Sequence, residues 1–150
     1  MKLQAWRIVK EKHATTAFSG EGARLYGGRW NSKGVSLVYT SSTQALAALE
    51  SLVHLNPPVV FTYAVIAIEF DAALVEKVTA LPPGWADKPA RPTTRDIGDL
   101  WARELRSAVL QLPSVIIPTE ANYLLNPAHP DFKEILIGTP TPFAFDPRLL

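Results

Sequence analysis

The chain has no cysteine. That excludes disulfides and thiolate metal sites and argues weakly for a reducing compartment. Its three histidines, His13, His54 and His129, are scattered without metal-ligand spacing. An excess of one charge is also missing: 15 Lys and Arg stand against 14 Asp and Glu, giving a net charge of +1 with the signs interspersed. A protein that grips nucleic acid by its phosphates normally carries a stronger basic bias, so direct DNA binding is not expected. No apolar run approaches the length needed to cross a bilayer. Met1–Lys12 carries four Lys and Arg but no apolar core segment, so it does not read as a signal peptide. There is no phosphate loop, no standard dinucleotide fingerprint and no internal repeat. A cytoplasmic protein is the expectation.

What is present is a globular composition, 47% apolar and 19% charged over 150 residues, with no linker long enough to divide it. One domain, 1–150, is expected. Leu3–Val9 alternates as a strand, with Trp6 and Ile8 on one face and Arg7 on the other; Arg7 reads as solvated, and facing inward it would be a phosphate ligand. His13–Gly22 reads as loop, and Asn31-Ser32-Lys33-Gly34 as a turn before a strand at Val35–Thr40. Ser41-Ser42-Thr43 offers N-caps for a helix to about Leu55, stopped by Asn56-Pro57-Pro58. Val59–Phe70 is a long β-branched and aromatic strand, expected inside a sheet. Pro82–Thr94 is a surface loop, and Asp96–Leu110 a second helix with Ile97, Leu100, Trp101, Leu105 and Ala108 as its core stripe. Short strands are expected at Ser114–Pro118 and Ile135–Ile137.

Three places carry candidate chemistry. Gly27-Gly28-Arg29-Trp30-Asn31 sets an arginine beside bare backbone, and a planar guanidinium pairs two phosphate oxygens at once. A tight turn with a surface arginine is the plainer reading of that motif by itself. Glu50 is the single acid of its helix and projects near the stripe of Leu46, Leu49 and Val53, where a carboxylate is costly unless something pairs with it. Pro113-Ser114 opens a segment through Asn122 to Asn126-Pro127 that is dense in groups able to bond backbone. Ser114 has no histidine near it in sequence, which leaves a serine hydrolase poorly supported.

Together these residues resemble the RES domain family. The resemblance rests on Gly20-Glu21-Gly22-Ala23-Arg24, Gly28-Arg29-Trp30-Asn31, Tyr39, Glu50, Pro113-Ser114, Asn122 and Asn126-Pro127, in register from about Trp6 to Phe132. The arginine, glutamate and serine of the family's name fall on Arg29, Glu50 and Ser114. The resemblance implies an α+β, ADP-ribosyltransferase-like fold, with a curved, mainly antiparallel, split β-sheet and flanking helices. It implies a toxin of a type II toxin–antitoxin pair whose partner is an Xre-type DNA-binding antitoxin, in an oligomeric complex. It implies NAD as substrate with no further cofactor and no metal, cleaved by hydrolysis or phosphorolysis, or used to ADP-ribosylate a protein. By the same resemblance Glu50, Arg29, Tyr39 and Ser114 are the catalytic set, and Arg7, Arg29, Trp30, Tyr39, Ser114 and Asn122 bind NAD. The chemistry is coherent: nicotinamide leaves as a neutral molecule and needs no general acid. One carboxylate stabilising an oxocarbenium-like state then suffices. A non-catalytic domain in which Glu50 merely pairs with Arg29 is the competing class.

Overall fold

A computed structural model describes residues 1–55 and 62–150. Eight strands of these residues form one sheet: β1 (Lys2–Lys10), β2 (Val38–Ser41), β3 (Tyr63–Asp71), β4 (Val75–Lys77), β5 (Val109–Pro113), β6 (Ala121–Leu125), β7 (Leu136–Ile137) and β8 (Thr141–Phe143). The order is β4-β5-β6-β2-β1-β3-β7, with β8 also on β3. All pairings are antiparallel except β4 with β5. The architecture is α+β, a curled, mostly antiparallel sheet with helices against it. β3 lies inside the sheet as expected, although Val59–Phe61 of the anticipated strand and the Asn56-Pro57-Pro58 stop fall outside the described residues.

The sheet divides at one seam. β1 matches β3 along its whole length, from Lys2↔Asp71 to Lys10↔Tyr63, but meets β2 only at Trp6↔Ser41. On the β2 side, alternate residues serve two layers, as the two-residue period of a strand requires. Leu37, Leu110, Leu112 and Leu124 pack with Trp101 and Ala102 of α3 (Pro92–Arg103), while Val38, Val109, Tyr123 and Leu125 fill the opposite face with Ala5, Ile68 and Phe70. Beyond the seam Ile8, Tyr63 and Val65 pack with Ala47 of α2 (Gln44–Leu52).

The helices depart from expectation in ways that matter for the site. Of the three anticipated caps Thr43 is the one α2 uses, its hydroxyl accepting from Leu46 N at 3.0 Å, and the helix ends at Leu52, short of Leu55. Its buried side is Leu46 and Ala47; Val53, placed by sequence in the apolar stripe, is 61% exposed. α3 stops at Arg103 and not at Leu110: Leu105 takes a left-handed φ of 51°, and Val109–Pro113 joins the sheet as β5. Pairing with β6 outweighed the helical spacing of Leu105 and Ala108, both outside the helix, and Leu100 is half exposed. The strand expected at Ser114–Pro118 is instead the loop joining β5 to β6. His13–Gly22 holds more structure than a loop, with a 3₁₀ helix at Glu11–Thr16 and the start of α1 (Glu21–Tyr26). α1 was not anticipated; Gly27 ends it with φ 71°, a backbone form that glycine adopts without strain. Among the described residues no helix is long and apolar enough to cross a membrane.

Candidate functional site

A cleft of about 1080 Å³ opens along the seam. Its walls are β1 (Trp6, Arg7, Ile8), β2 (Tyr39, Thr40, Ser41), the α1–Gly28 segment, one side of α2 and the strap Lys88–Ala90. Of the expected site residues, Arg7, Arg29, Trp30, Tyr39, Glu50 and Asn122 line it, contributed by five separate segments. Among the described lining residues Glu50 is the sole carboxylate, and Arg7, Arg29 and Lys88 are the cations.

Glu50 is reached from behind. Ser114 is fully buried; its Oγ accepts from Ile116 N at 3.0 Å and Ile117 N at 3.1 Å, and donates to Glu50 Oε1 at 2.8 Å. With both acceptor positions taken by backbone, the hydroxyl proton has one direction left, and it points at the carboxylate. Ser114 itself is not part of the cleft wall, so the geometry gives it a positioning place behind Glu50 and not the ligand contact anticipated from sequence. The same loop is tied to the other end of α2, where Thr43 Oγ1 donates to Glu120 Oε1 at 2.7 Å and Ser42 exchanges bonds with Ala121. Both ends of α2 are thereby registered against one loop.

The arginine turn is framed by backbone. Asn31 is wholly buried and its Nδ2 donates to Ala23 O, Ser32 O and Val35 O. Tyr39 Oη donates to Asn31 Oδ1 at 2.6 Å and accepts from Trp30 N at 3.1 Å. Burial pushes the Tyr39 phenol well above its ordinary pKa, so it stays a neutral donor, while its ring forms part of the cleft wall. Gly28 is required beneath it: a Cβ there would lie 2.6 Å from Tyr39 Oη. α3 closes the frame, since Thr94 Oγ1 donates to Arg29 O at 2.7 Å and Asp99 Oδ1 accepts from Ser32 N at 2.8 Å. Gly98 lies so close that a Cβ would stand 1.7 Å from Trp30 O. Asp99, Thr94 and Gly98 were not picked out from sequence; within an amphipathic helix nothing marks them except their poor fit to an apolar face.

Two expectations change here. Arg7 is not solvated: its Nε donates to Ala17 O at 2.8 Å and its Nη1 to Tyr39 O at 2.9 Å, bridging the seam between β1 and β2. Burial pulls its pKa down to about 10, which leaves it cationic at neutral pH. Trp30 borders the cleft but is only 2% exposed, stacked on Trp85 at 6.5 Å within the core. Asn122 holds the β2 edge through Nδ2, to Thr40 O and Ser41 Oγ. Among the described residues no ion pair joins Arg29 to Glu50, and Arg29 Nη1 donates instead to Trp85 O at 3.0 Å and Asp87 O at 2.7 Å. Tyr26, Ser51, His54 and Lys88 line the cleft without having been anticipated.

This chain is thus an α+β domain whose sheet splits at a seam, lined among the described residues by one carboxylate and three cations. Its fold matches that of a chain in the Mycobacterium tuberculosis MbcT–MbcA toxin–antitoxin complex, with a TM-score of 0.73 over 96% of this chain and 85% of that one. At 14% identity that likeness speaks for the fold alone. The RES domain model matches residues 4–146, and the chain belongs to the RES domain family. A relative in Sphingobium sp. (strain YBL2) named "Prs ADP-ribosylating toxin" is 40% identical over 158 residues, covering 100% of this chain and 98% of that one. A "Toxin Res" of Yersinia enterocolitica is 40% identical over 151 residues, covering 98% and 99%.

Proposed function

We propose that this chain is the toxin of a RES-type toxin–antitoxin pair and that it cleaves the nicotinamide–ribose bond of NAD. The observation that carries the reading is a single carboxylate, aimed by a buried hydroxyl, in a cleft otherwise lined by neutral and cationic groups. In this reading NAD lies along the seam. Arg29 holds pyrophosphate through the donors its loop contacts leave unused, and the Tyr39 ring borders the nicotinamide. Glu50 faces the ribose. As the C1′–N bond breaks, its electron pair leaves with nicotinamide, which departs neutral. Positive charge develops on the ribose beside Glu50, where a carboxylate already held in place stabilises it without reorganising. Ser114 acts through Glu50, holding one oxygen so that the carboxylate need not reorganise. An acceptor oxygen or nitrogen then bonds to C1′ and releases its proton.

The acceptor distinguishes two readings. Hydrolysis or phosphorolysis would give free ADP-ribose or its phosphate ester. The name of the Sphingobium relative, 40% identical over the full chain, favours a second reading in which a protein side chain takes the ADP-ribose. An antitoxin, expected to be of Xre type, would restrain the enzyme by covering the cleft. Purified protein incubated with NAD should release nicotinamide, and mass spectrometry of the products, with phosphate and with lysate added in turn, identifies the acceptor. No nicotinamide release under any of these conditions would overturn the enzyme reading in favour of a binding domain of the same fold. Co-expression with the neighbouring helix-turn-helix reading frame should relieve toxicity, and addition of that protein should stop turnover.

A further inference from the structure

Arg29 does two things with one side chain. Its Nη1 is committed to the carbonyls of Trp85 and Asp87, in the loop between β4 and α3. That loop is ordered by its own contacts: Trp85 N donates to Pro82 O, Asp87 N donates to Gly84 O, and the Trp85 ring stacks on Trp30. The next residue after Asp87 is Lys88, and it reaches the cleft wall. Lys88 is exposed, and among the described residues no hydrogen bond or ion pair engages it. The one acid beside it is already taken, because Asp87 is paired with Arg91, whose Nε donates to Oδ2 at 2.7 Å. Lys88 is thus part of the cleft wall and has no acidic partner among the described residues.

Resting on the NAD reading above, we propose that Lys88 is a second phosphate ligand, and that the loop is a strap whose position Arg29 sets. A pyrophosphate presents two adjacent anions. With Nη1 committed, Arg29 keeps Nε and Nη2, one fork for one phosphate. Arg7 spends Nε on Ala17 O and Nη1 on Tyr39 O across the seam. Lys88 is then the remaining cation of the wall, and a flexible point charge suits an anion whose oxygens need no fixed orientation. A surface lysine of no consequence is the alternative, and it makes the opposite prediction.

The test is calorimetric titration of NAD, and of nicotinamide mononucleotide with its single phosphate, into the Glu50→Gln protein. Lys88→Ala in that background should weaken NAD about tenfold, and Lys88→Glu more. The mononucleotide should lose less, so that the preference for the dinucleotide shrinks. Lys88→Arg should restore most of the affinity. Melting temperatures should not move, since Lys88 has no hydrogen bond or ion pair among the described residues. Unchanged NAD affinity in Lys88→Glu would overturn the strap while leaving the NAD reading in place. If the Glu50→Gln parent binds no NAD and the wild-type chain releases no nicotinamide, both fall together.

Discussion

The two ends of the cleft are built by different means. At one end a single side-chain hydrogen bond from Ser114, 64 residues away in sequence, sets Glu50. At the other, Arg29 sits on a turn fixed through backbone: Thr94 holds its carbonyl, Tyr39 and Asp99 hold the amides of Trp30 and Ser32, and its Nη1 grips two further carbonyls. An acid set by one side chain can be altered alone. A turn set by backbone moves as a unit. The acid end should therefore yield variants that fold and fail to react, whereas the arginine end should yield variants that lose structure and binding together.

The sharpest contrast is Glu50→Gln. The amide keeps the shape and can still accept from Ser114, so melting should shift little while nicotinamide release falls about 100- to 1,000-fold. A near-normal rate would remove the carboxylate from the chemistry. At the other end, Gly98→Ala drives a methyl into Trp30 O and should cost about 3 kcal/mol in denaturant unfolding, with NAD binding lost in parallel. If Gly98→Ala kept full stability and lost only turnover, the contrast between the ends would fail. Ser114→Ala should be intermediate. It leaves the amides of Ile116 and Ile117 without their buried acceptor, about 1–3 kcal/mol. It should also lower kcat about tenfold, a barrier change of about 1.4 kcal/mol, with NAD affinity nearly unchanged. Thr43→Ala removes the α2 cap and the Glu120 contact and should cost about 1 kcal/mol, detectable in melting and small in turnover.

Much of this was legible locally. Gly27-Gly28 announced a turn, Ser41-Ser42-Thr43 announced a cap, β1 showed its alternation and β3 its β-branched and aromatic run, because each signal is written within a few residues. Several motifs in register, from Gly20-Glu21-Gly22 through Arg29, Tyr39, Glu50 and Ser114 to Asn126-Pro127, suggested the family that residues 4–146 match. The sequence could also say that Glu50 needed a partner, since an acid beside an apolar stripe is costly. It could not say which one.

Tertiary structure decided that the partner is Ser114 and not Arg29, because the β5–β6 loop packs against α2 while Arg29 turns toward the Trp85 loop. It ended α3 at Arg103 by recruiting Val109–Pro113 into the sheet, where pairing with β6 satisfies a whole row of backbone groups. It tied Arg7 across the sheet; local alternation placed that residue correctly on the face opposite Ile8 but could not show it to span a seam, because the seam exists only when β1 and β2 meet at a single pair. Local pattern fixes periods, caps and turns over a few residues. Which distant groups satisfy a buried charge or an open carbonyl depends on how the strands pair, and that is settled across the whole chain at once.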